Sequence, residues 1–365
     1  VADGIHRRFS GQICGGSGGA PRPCAQNPAA VDESVKHFDR LKVRSGVSRP
    51  APRVDGHDPE HATMAYPRWG GVFPAVTTQF REDLSLDLHA SAAHWEALIE
   101  SGVTGLIVAG SLGENQTLEP TEKRALVAEA VKVVAGRVPV LSGVAEMSTA
   151  AACAYVRDCE RLGAAGFMVM PAMVYKSDAA ETMHHFRSVA AATSLPWMLY
   201  NNPVGYPVDV TPAQFAELAD VPNLIALKES SANTRRITEL RIAVGDRYSI
   251  FTGVDDLILE SAVLGIDGWV AGSGVAFPRE NQYFWELTRA GRWDEARAMY
   301  RWFYPLLKLD THVKFVQYIK LAVQEAGLGR EWVRAPRLAL RGAEREQILA
   351  IIRRGLAERP TLPTR

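Results

Sequence analysis

Eight short apolar runs, each followed by a stretch of helical period, constrain this chain more than any other feature. They are VFPAVT (72 to 77), GLIVAG (105 to 110), VPVLSG (138 to 143), GFMVM (166 to 170), PWMLY (196 to 200), LIALK (224 to 228), SIFTG (249 to 253) and GWVAG (268 to 272). Each is apolar on both alternating faces, as a strand covered by helices on its outer side and packed on its inner side must be. Segments such as PTEKRALVAEAVKVVAG and TAAACAYVRDCERLG between them carry the helical period, and Pro120 before Thr121 and Glu122, like Thr211 before Pro212, marks a helix start. Eight such units predict an α/β fold, the (β/α)8 TIM barrel. The roughly 240 residues from Arg68 to Leu307 are close to the ~250 typical of it. A doubly wound sheet is disfavoured because no G-x-G-x-x-G follows the first run.

The barrel is expected over 67–307, with C-terminal helices and a frayed tail over 308–365; helical patterns run through 292–325 and 343–356. Residues 1–66 differ in kind. They carry eight glycines and six prolines with little periodicity, so this arm is expected to be mostly disordered, with DESVKHFDRLKV (32 to 43) as a short candidate helix. The first methionine, Met64, stands directly before the patterned region, and the arm reads as an upstream mis-start or a tag. The 41 basic and 41 acidic side chains cancel, which argues against nucleic acid or an anionic membrane surface as partner and favours a small ligand. No apolar stretch has the length of a membrane span and no secretory signal is evident, so a soluble, cytoplasmic protein is expected. Cys14, Cys24, Cys153 and Cys159 show no C-x-x-C pairing, which suggests neither a disulfide framework nor a zinc site.

In this barrel chemistry sits at the C-terminal ends of the strands. Lys228 closes LIALK, where four apolar residues deliver an amine to the mouth; desolvation there lowers a lysine pKa and makes the amine a nucleophile toward carbonyls. A lone lysine would instead read as a strand-end residue reaching solvent, but its neighbours argue otherwise. Tyr200 closes the preceding run within LYNNP, which can set a phenol beside the amine to relay protons; a rim tyrosine with its hydroxyl in water carries equal weight. GSLGEN (110 to 115) follows the second run. Gly110 and Gly113 let its backbone N–H groups converge and Ser111 adds a hydroxyl, a fitting arrangement for a small carboxylate, although a plain glycine turn has the same look.

Together, GSLGENQTLEPTEK, YNNP, IALKESS, FTGVDD and GIDGWVAGSGVAFP occur in the order and spacing of the dihydrodipicolinate synthase and N-acetylneuraminate lyase family, which the chain resembles across residues 70 to 325. The resemblance implies a class I Schiff-base barrel acting on 2-oxo acids, a homotetramer built as a dimer of dimers, with no metal or organic cofactor. By match to the family's motifs, Lys228 resembles the Schiff-base lysine, Tyr200 the proton-relaying tyrosine and Ser111 the first hydroxyl of the carboxylate loop. Gly110, Leu112, Gly113, Asn202 and Gly253 are placed with the substrate-binding residues, together with Glu146.

The departures bear on the substrate. Leu112 stands where the family's loop has a second hydroxyl, so the carboxylate would rest on Ser111 and backbone N–H groups. After YNNP the synthase carries an arginine for its second substrate; here the chain reads Val204, Gly205, Tyr206. The interface tyrosine has no direct counterpart, and Tyr175 reads as a surface residue. Glu146 can hold a substrate hydroxyl or a cationic amine or act as a base, or it can cap the helix beginning near Ser148; both readings stay open. Asp255 and Asp256 can contact ligand or cap a helix, Asn201 and Asn202 fit either amide donors or turn chemistry, and His184 and His185 read as surface residues. GVFPAVTTQF, GVAE, VMPAMVY and YNNP most resemble the family's 1-pyrroline-4-hydroxy-2-carboxylate deaminases, whose substrate needs one anion site and not two. The expected activity is therefore dehydration and deamination of that cyclic imine to 2,5-dioxopentanoate and ammonia. The alternatives are a pyruvate-dependent aldolase or 4-hydroxy-tetrahydrodipicolinate synthase using the same lysine enamine, and, in another class, a non-catalytic barrel that binds a 2-oxo acid.

Overall fold

The computed structural model describes residues 66–172 and 175–363. The expectations for the N-terminal arm, for the helix over 32–43 and for Cys14 and Cys24 lie outside the described residues, as does Met173. Eight parallel strands form one sheet: β1 Gly71–Val72, β2 Leu106–Val108, β3 Val140–Val144, β4 Gly166–Val169, β5 Trp197–Asn201, β6 Leu224–Glu229, β7 Ser249–Thr252 and β8 Gly268–Trp269. Each falls within or overlaps one of the eight apolar runs. Neighbours run in chain order from β2 to β8, and β8 pairs with β1. The ring closes just beyond β1, where Ala75 bridges Ile107 in parallel and the Val76 N–H donates to the Ile107 carbonyl at 3.0 Å.

The helices are α1 Leu88–Glu100, α2 Pro120–Val134, α3 Thr149–Arg161, α4 Ala179–Ala191, α5 Pro212–Glu217, α6 Arg235–Val244, α7 Ile258–Val263, α8 Pro278–Arg289, α9 Trp293–Leu307, α10 Phe315–Glu325 and α11 Gly342–Ala357. Local chemistry sets their starts. Pro120 occupies the first turn of α2 behind a Glu119–Glu122 capping box, Ser148 caps α3, and Thr211 forms a capping box with Gln214 before α5. The eighth strand is followed by α8 and then by α9. Helical periodicity runs through both elements and does not distinguish a barrel helix from an added one.

Side chains fill the barrel. Phe73 and Phe251, both buried, meet edge to face at 5.3 Å. Each ring lies on a glycine: a Cβ at Gly105 would stand 2.2 Å from Phe73, and one at Gly268 2.2 Å from Phe251. Large rings over missing side chains are how this interior reaches packing density.

The C-terminal helices are tied to the mouth by a buried ion pair. Lys320 of α10 donates from Nζ to Glu114 Oε1 at 2.8 Å and to the Thr78 carbonyl at 2.8 Å, over the Phe80 ring. Both partners are fully out of water. The other Glu114 oxygen accepts from the Arg334 N–H at 3.1 Å. Glu114 belongs to the GSLGEN loop and sits at φ 57, a left-handed conformation that a non-glycine residue holds only when its surroundings fix it. Lys320→Met leaves that carboxylate buried without its cation and should destabilise the fold by about 3–5 kcal/mol, measured as a fall in the urea midpoint at unchanged slope; a midpoint equal to wild type would show that the pair does not pin the loop.

Candidate active site

Lys228 lies on β6 in register with Tyr200 on β5 and Phe251 on β7. Parallel strands in register point these three side chains to the same face, the interior. Only 6% of Lys228 is exposed, and its Nζ stands 4.0 Å from the centre of the Tyr200 ring. The Nζ makes no hydrogen bond to a described residue. Burial lowers its pKa from the ordinary 10.5, against the nearby Asp310, Tyr206 and Asp255, which favour the charged form. An amine so placed keeps its lone pair free. Gly253, at the end of β7, makes room for it: a Cβ there would stand 2.1 Å from Lys228 Cε. The glycine grouped with the substrate-binding residues thus serves first as space for the lysine.

The Tyr200 hydroxyl accepts from Asn202 Nδ2 at 3.0 Å, and burial pushes its acid up to about 12 against that bond. It is a neutral phenol at any working pH. Asn202 also makes the turn after β5: its Oδ1 accepts from the Gly205 N–H at 3.0 Å and its carbonyl from the Tyr206 N–H at 2.9 Å. That turn swings Tyr206 back over the site, edge to face with Tyr200 at 6.0 Å and with its hydroxyl hydrogen-bonded to Ser111 Oγ. Burial, then the neighbouring Tyr200, push the Tyr206 acid up to about 12 as well, against Ser111, Lys228 and Arg337. Arg337 itself lies 3.8 Å from Glu114.

The GSLGEN loop turns back on itself and leaves several N–H groups open. The Glu114 N–H returns to the Ser111 carbonyl at 3.1 Å and the Asn115 N–H to the Gly110 carbonyl at 3.2 Å, while the Thr78 hydroxyl donates to the Gly113 carbonyl at 2.6 Å. The N–H groups of Ser111, Leu112 and Gly113 donate to no described residue. Successive unengaged N–H groups beside a serine hydroxyl suit a carboxylate. The Leu112 side chain is in the core at 3% exposure, so that residue can offer only its backbone.

Other expectations divide. The Glu146 carboxylate accepts from Lys123 Nζ of α2 at 2.7 Å, and the cap of α3 is Ser148; no contact found for Lys228, Tyr200, Tyr206 or Ser111 involves Glu146. The sequence shows no sign of this partner because Lys123 approaches from a neighbouring helix. Asp255 is buried, and its side chain does not cap the turn it begins: it accepts from the Trp269 indole at 2.8 Å and from the N–H groups of Gly272 and Ser273. His185 is buried and bonded to Thr149 Oγ1 at 2.9 Å, a correction to its surface reading, whereas His184 is exposed. Tyr175 is on the surface and donates to Glu181. Tyr206 and Asp310 join the site without having been singled out. A tyrosine five residues beyond the end of β5, in an N-P-V-G-Y turn, is the available cue for the first; Asp310 has none, since it follows α9.

A desolvated amine without a hydrogen-bond partner, in register with a phenol on a barrel rim, is the equipment of an imine-forming lyase, and comparison with known proteins agrees on that class. The chain belongs to the dihydrodipicolinate synthetase family, whose profile matches residues 68–354. It is thereby a class I Schiff-base lyase. It is 30% identical over 285 residues to the 4-hydroxy-tetrahydrodipicolinate synthase of Desulforamulus reducens, covering 78% of this chain and 96% of that one, and 32% identical over 287 residues to that of Moorella thermoacetica, covering 78% and 98%. Among solved structures, a putative dihydrodipicolinate synthetase from Pseudomonas aeruginosa superposes with a TM-score of 0.75 at 30% identity, covering 79% and 99%. A prophage protein of the dihydrodipicolinic acid synthase family from E. coli K12, in complex with pyruvate, gives 0.74 at 28% identity over the same shares. Members of the family act on small molecules, and among the described residues no helix is long and apolar enough to cross a membrane.

The space at Gly253 is testable. Gly253→Ala displaces the lysine chain and should slow imine formation with a 2-oxo acid by about 100-fold, followed by borohydride trapping and intact-protein mass; trapping at the wild-type rate would show that the lysine has another way to lie.

Proposed function

We propose that the chain is a deaminase that forms an imine through Lys228 and converts 1-pyrroline-4-hydroxy-2-carboxylate to 2,5-dioxopentanoate and ammonia. The observation that carries this is one loop suited to an anion among the described residues, Ser111 with the N–H groups of 111–113, together with the Lys228 amine, with Tyr206 turned over the site by the loop in which the synthase presents an arginine. A small cyclic imine has one carboxylate to hold. Neutral Lys228 attacks the ring C=N carbon, and the ring opens by transimination to a covalent ketimine that leaves the former ring nitrogen as an amine on C5. The cationic nitrogen acidifies C3–H; its proton leaves through the Tyr200 hydroxyl, an enamine forms and the C4 hydroxyl departs as water. The C5 amine tautomerises to an imine, and hydrolysis at both imines frees ammonia, the product and Lys228.

Tyr206 gives this relay a second phenol and connects it to Ser111. Both phenols remain protonated, so each passes a proton only by receiving another. The names of the relatives favour a second reading, 4-hydroxy-tetrahydrodipicolinate synthesis from pyruvate, for which the same lysine and cradle serve and which requires a second anion anchor. Ammonia release from the hydroxylated pyrroline supports the first reading; consumption of pyruvate with an aldehyde, and no ammonia, supports the second. The assembly is proposed to be a cytoplasmic homotetramer on the family resemblance, and light scattering tests its size.

Lys228→Ala should abolish both turnover and borohydride trapping with the fold intact, and Tyr200→Phe should lower kcat by about 100-fold or more with KM changed far less; near-normal turnover in either variant removes that residue from the mechanism. Because burial lowers the Lys228 pKa, the reactive neutral amine persists as pH falls below 10.5. The acid limb of kcat/KM should therefore lie well below that value, and a limb at an ordinary lysine's position would contradict the buried amine.

A further inference from the structure

The Lys228 site contains a carboxyl group that the eight βα units do not supply. Asp310 belongs to the short 3-10 turn Lys308–Thr311 after α9. Its carboxyl lies on the backbone of Gly272, beyond β8: a Cβ built there would stand 2.0 Å from Asp310 Oδ1, so this approach requires glycine. Lys228, Tyr200 and Asp255 all lie within its electrostatic reach. Asp255 is engaged. The Trp269 indole, the Gly272 N–H and, at 2.6 Å, the Ser273 N–H all donate to it. Asp310 makes no side-chain hydrogen bond to a described residue. Two carboxyls therefore share one neighbourhood, one surrounded by donors that stabilise its anion and one with none. Burial first, then the charge of Asp255, holds the Asp310 acid well above the usual carboxylate range, with Lys228 opposing. Burial raises Asp255 too, but each of its hydrogen bonds pulls it back. Where neighbouring carboxyls differ in this way, the one without donors keeps the proton.

We propose that Asp310 is the acid that protonates the departing C4 hydroxyl, so that the site is built to eliminate water from a 4-hydroxylated ketimine of Lys228 and not to cleave a carbon–carbon bond. This rests on the imine reading given above. Once C3 has lost its proton, the enamine nitrogen pair returns to form C=N, the C2=C3 pair moves to C3=C4, and the C4–O bond breaks with its electrons on oxygen. That oxygen takes the Asp310 proton and leaves as water; the Asp310 carboxylate then regains a proton from solvent. An aldol cleavage asks the opposite of the same oxygen, whose own proton has to be removed, and a protonated acid beside it is the wrong partner.

The test is to trap Lys228 with borohydride during turnover of the hydroxylated pyrroline, in wild type, Asp310→Asn and Asp310→Ala, and to weigh the adduct. Asp310→Asn keeps the shape, and Asp310→Ala relieves the contact with Gly272, so a folding defect in one does not decide the matter. Wild type should give an adduct one water lighter than the ring-opened substrate. Both variants should accumulate the hydrated adduct and release ammonia about 100-fold more slowly, while pyruvate traps on Lys228 as in wild type. The same dehydrated adduct with undiminished ammonia release overturns the role of Asp310. So does an equal loss of pyruvate trapping, which would place Asp310 behind the reactivity of Lys228 and not at the leaving group. Failure of wild type itself to trap pyruvate at Lys228 is a different result: it removes the imine reading and this inference with it.

Discussion

Everything at the barrel mouth follows from keeping one amine out of water with no hydrogen bond to it among the described residues. A lysine at a strand end ordinarily extends its four-carbon stem to solvent. Here β5 and β7 flank Lys228 in register, Tyr200 presents its ring face to the ammonium position at 4.0 Å, and Gly253 leaves open the volume through which the stem passes. An amide or carboxylate bonded directly to the nitrogen would have held the amine more firmly and tied up its lone pair or kept it charged. The fold supplies aromatic and aliphatic walls instead, with the acidic groups acting from a distance.

The segment beyond the barrel is part of this arrangement. The ion pair between Lys320 and Glu114 ties α10 to the GSLGEN loop. A buried pair of this kind adds little net stability over an apolar substitute, but it is costly to break and admits few geometries. It fixes Glu114 in a left-handed conformation, and the N–H groups of 111–113 precede it directly in the loop. The turn before α10 sets Asp310 against the backbone of Gly272, beyond β8. The segment beyond the barrel therefore reaches both the GSLGEN loop and the end of β8.

Much of the barrel is legible in the sequence because burial on both faces leaves a mark that needs no partner to be seen. All eight apolar runs contain or overlap strands, and the helix starts read at Pro120 and Thr211 begin α2 and α5. Lys228, Tyr200 and Ser111 are legible for the same reason: a polar residue closing an apolar run, or following one in a glycine loop, has to lie at a strand's end. The partner of Glu146, Lys123, is 23 residues away in the chain and adjacent only after α2 packs beside β3, so no local pattern shows it.

The sequence by itself determined the alternation of strands and helices, the residues at the strand ends and the membership of the dihydrodipicolinate synthetase family, since these rest on local patterns and on motifs in order. Which polar groups meet was decided by the tertiary structure alone. Tyr206 reaches Ser111 across 95 residues and Glu114 reaches Lys320 across 206, while Asp255 and Asp310, alike as side chains, differ because one lies among backbone donors and the other against a bare glycine. The state of a charge depends on the dielectric and the donors around it, and those are assembled only when distant parts of the chain pack together.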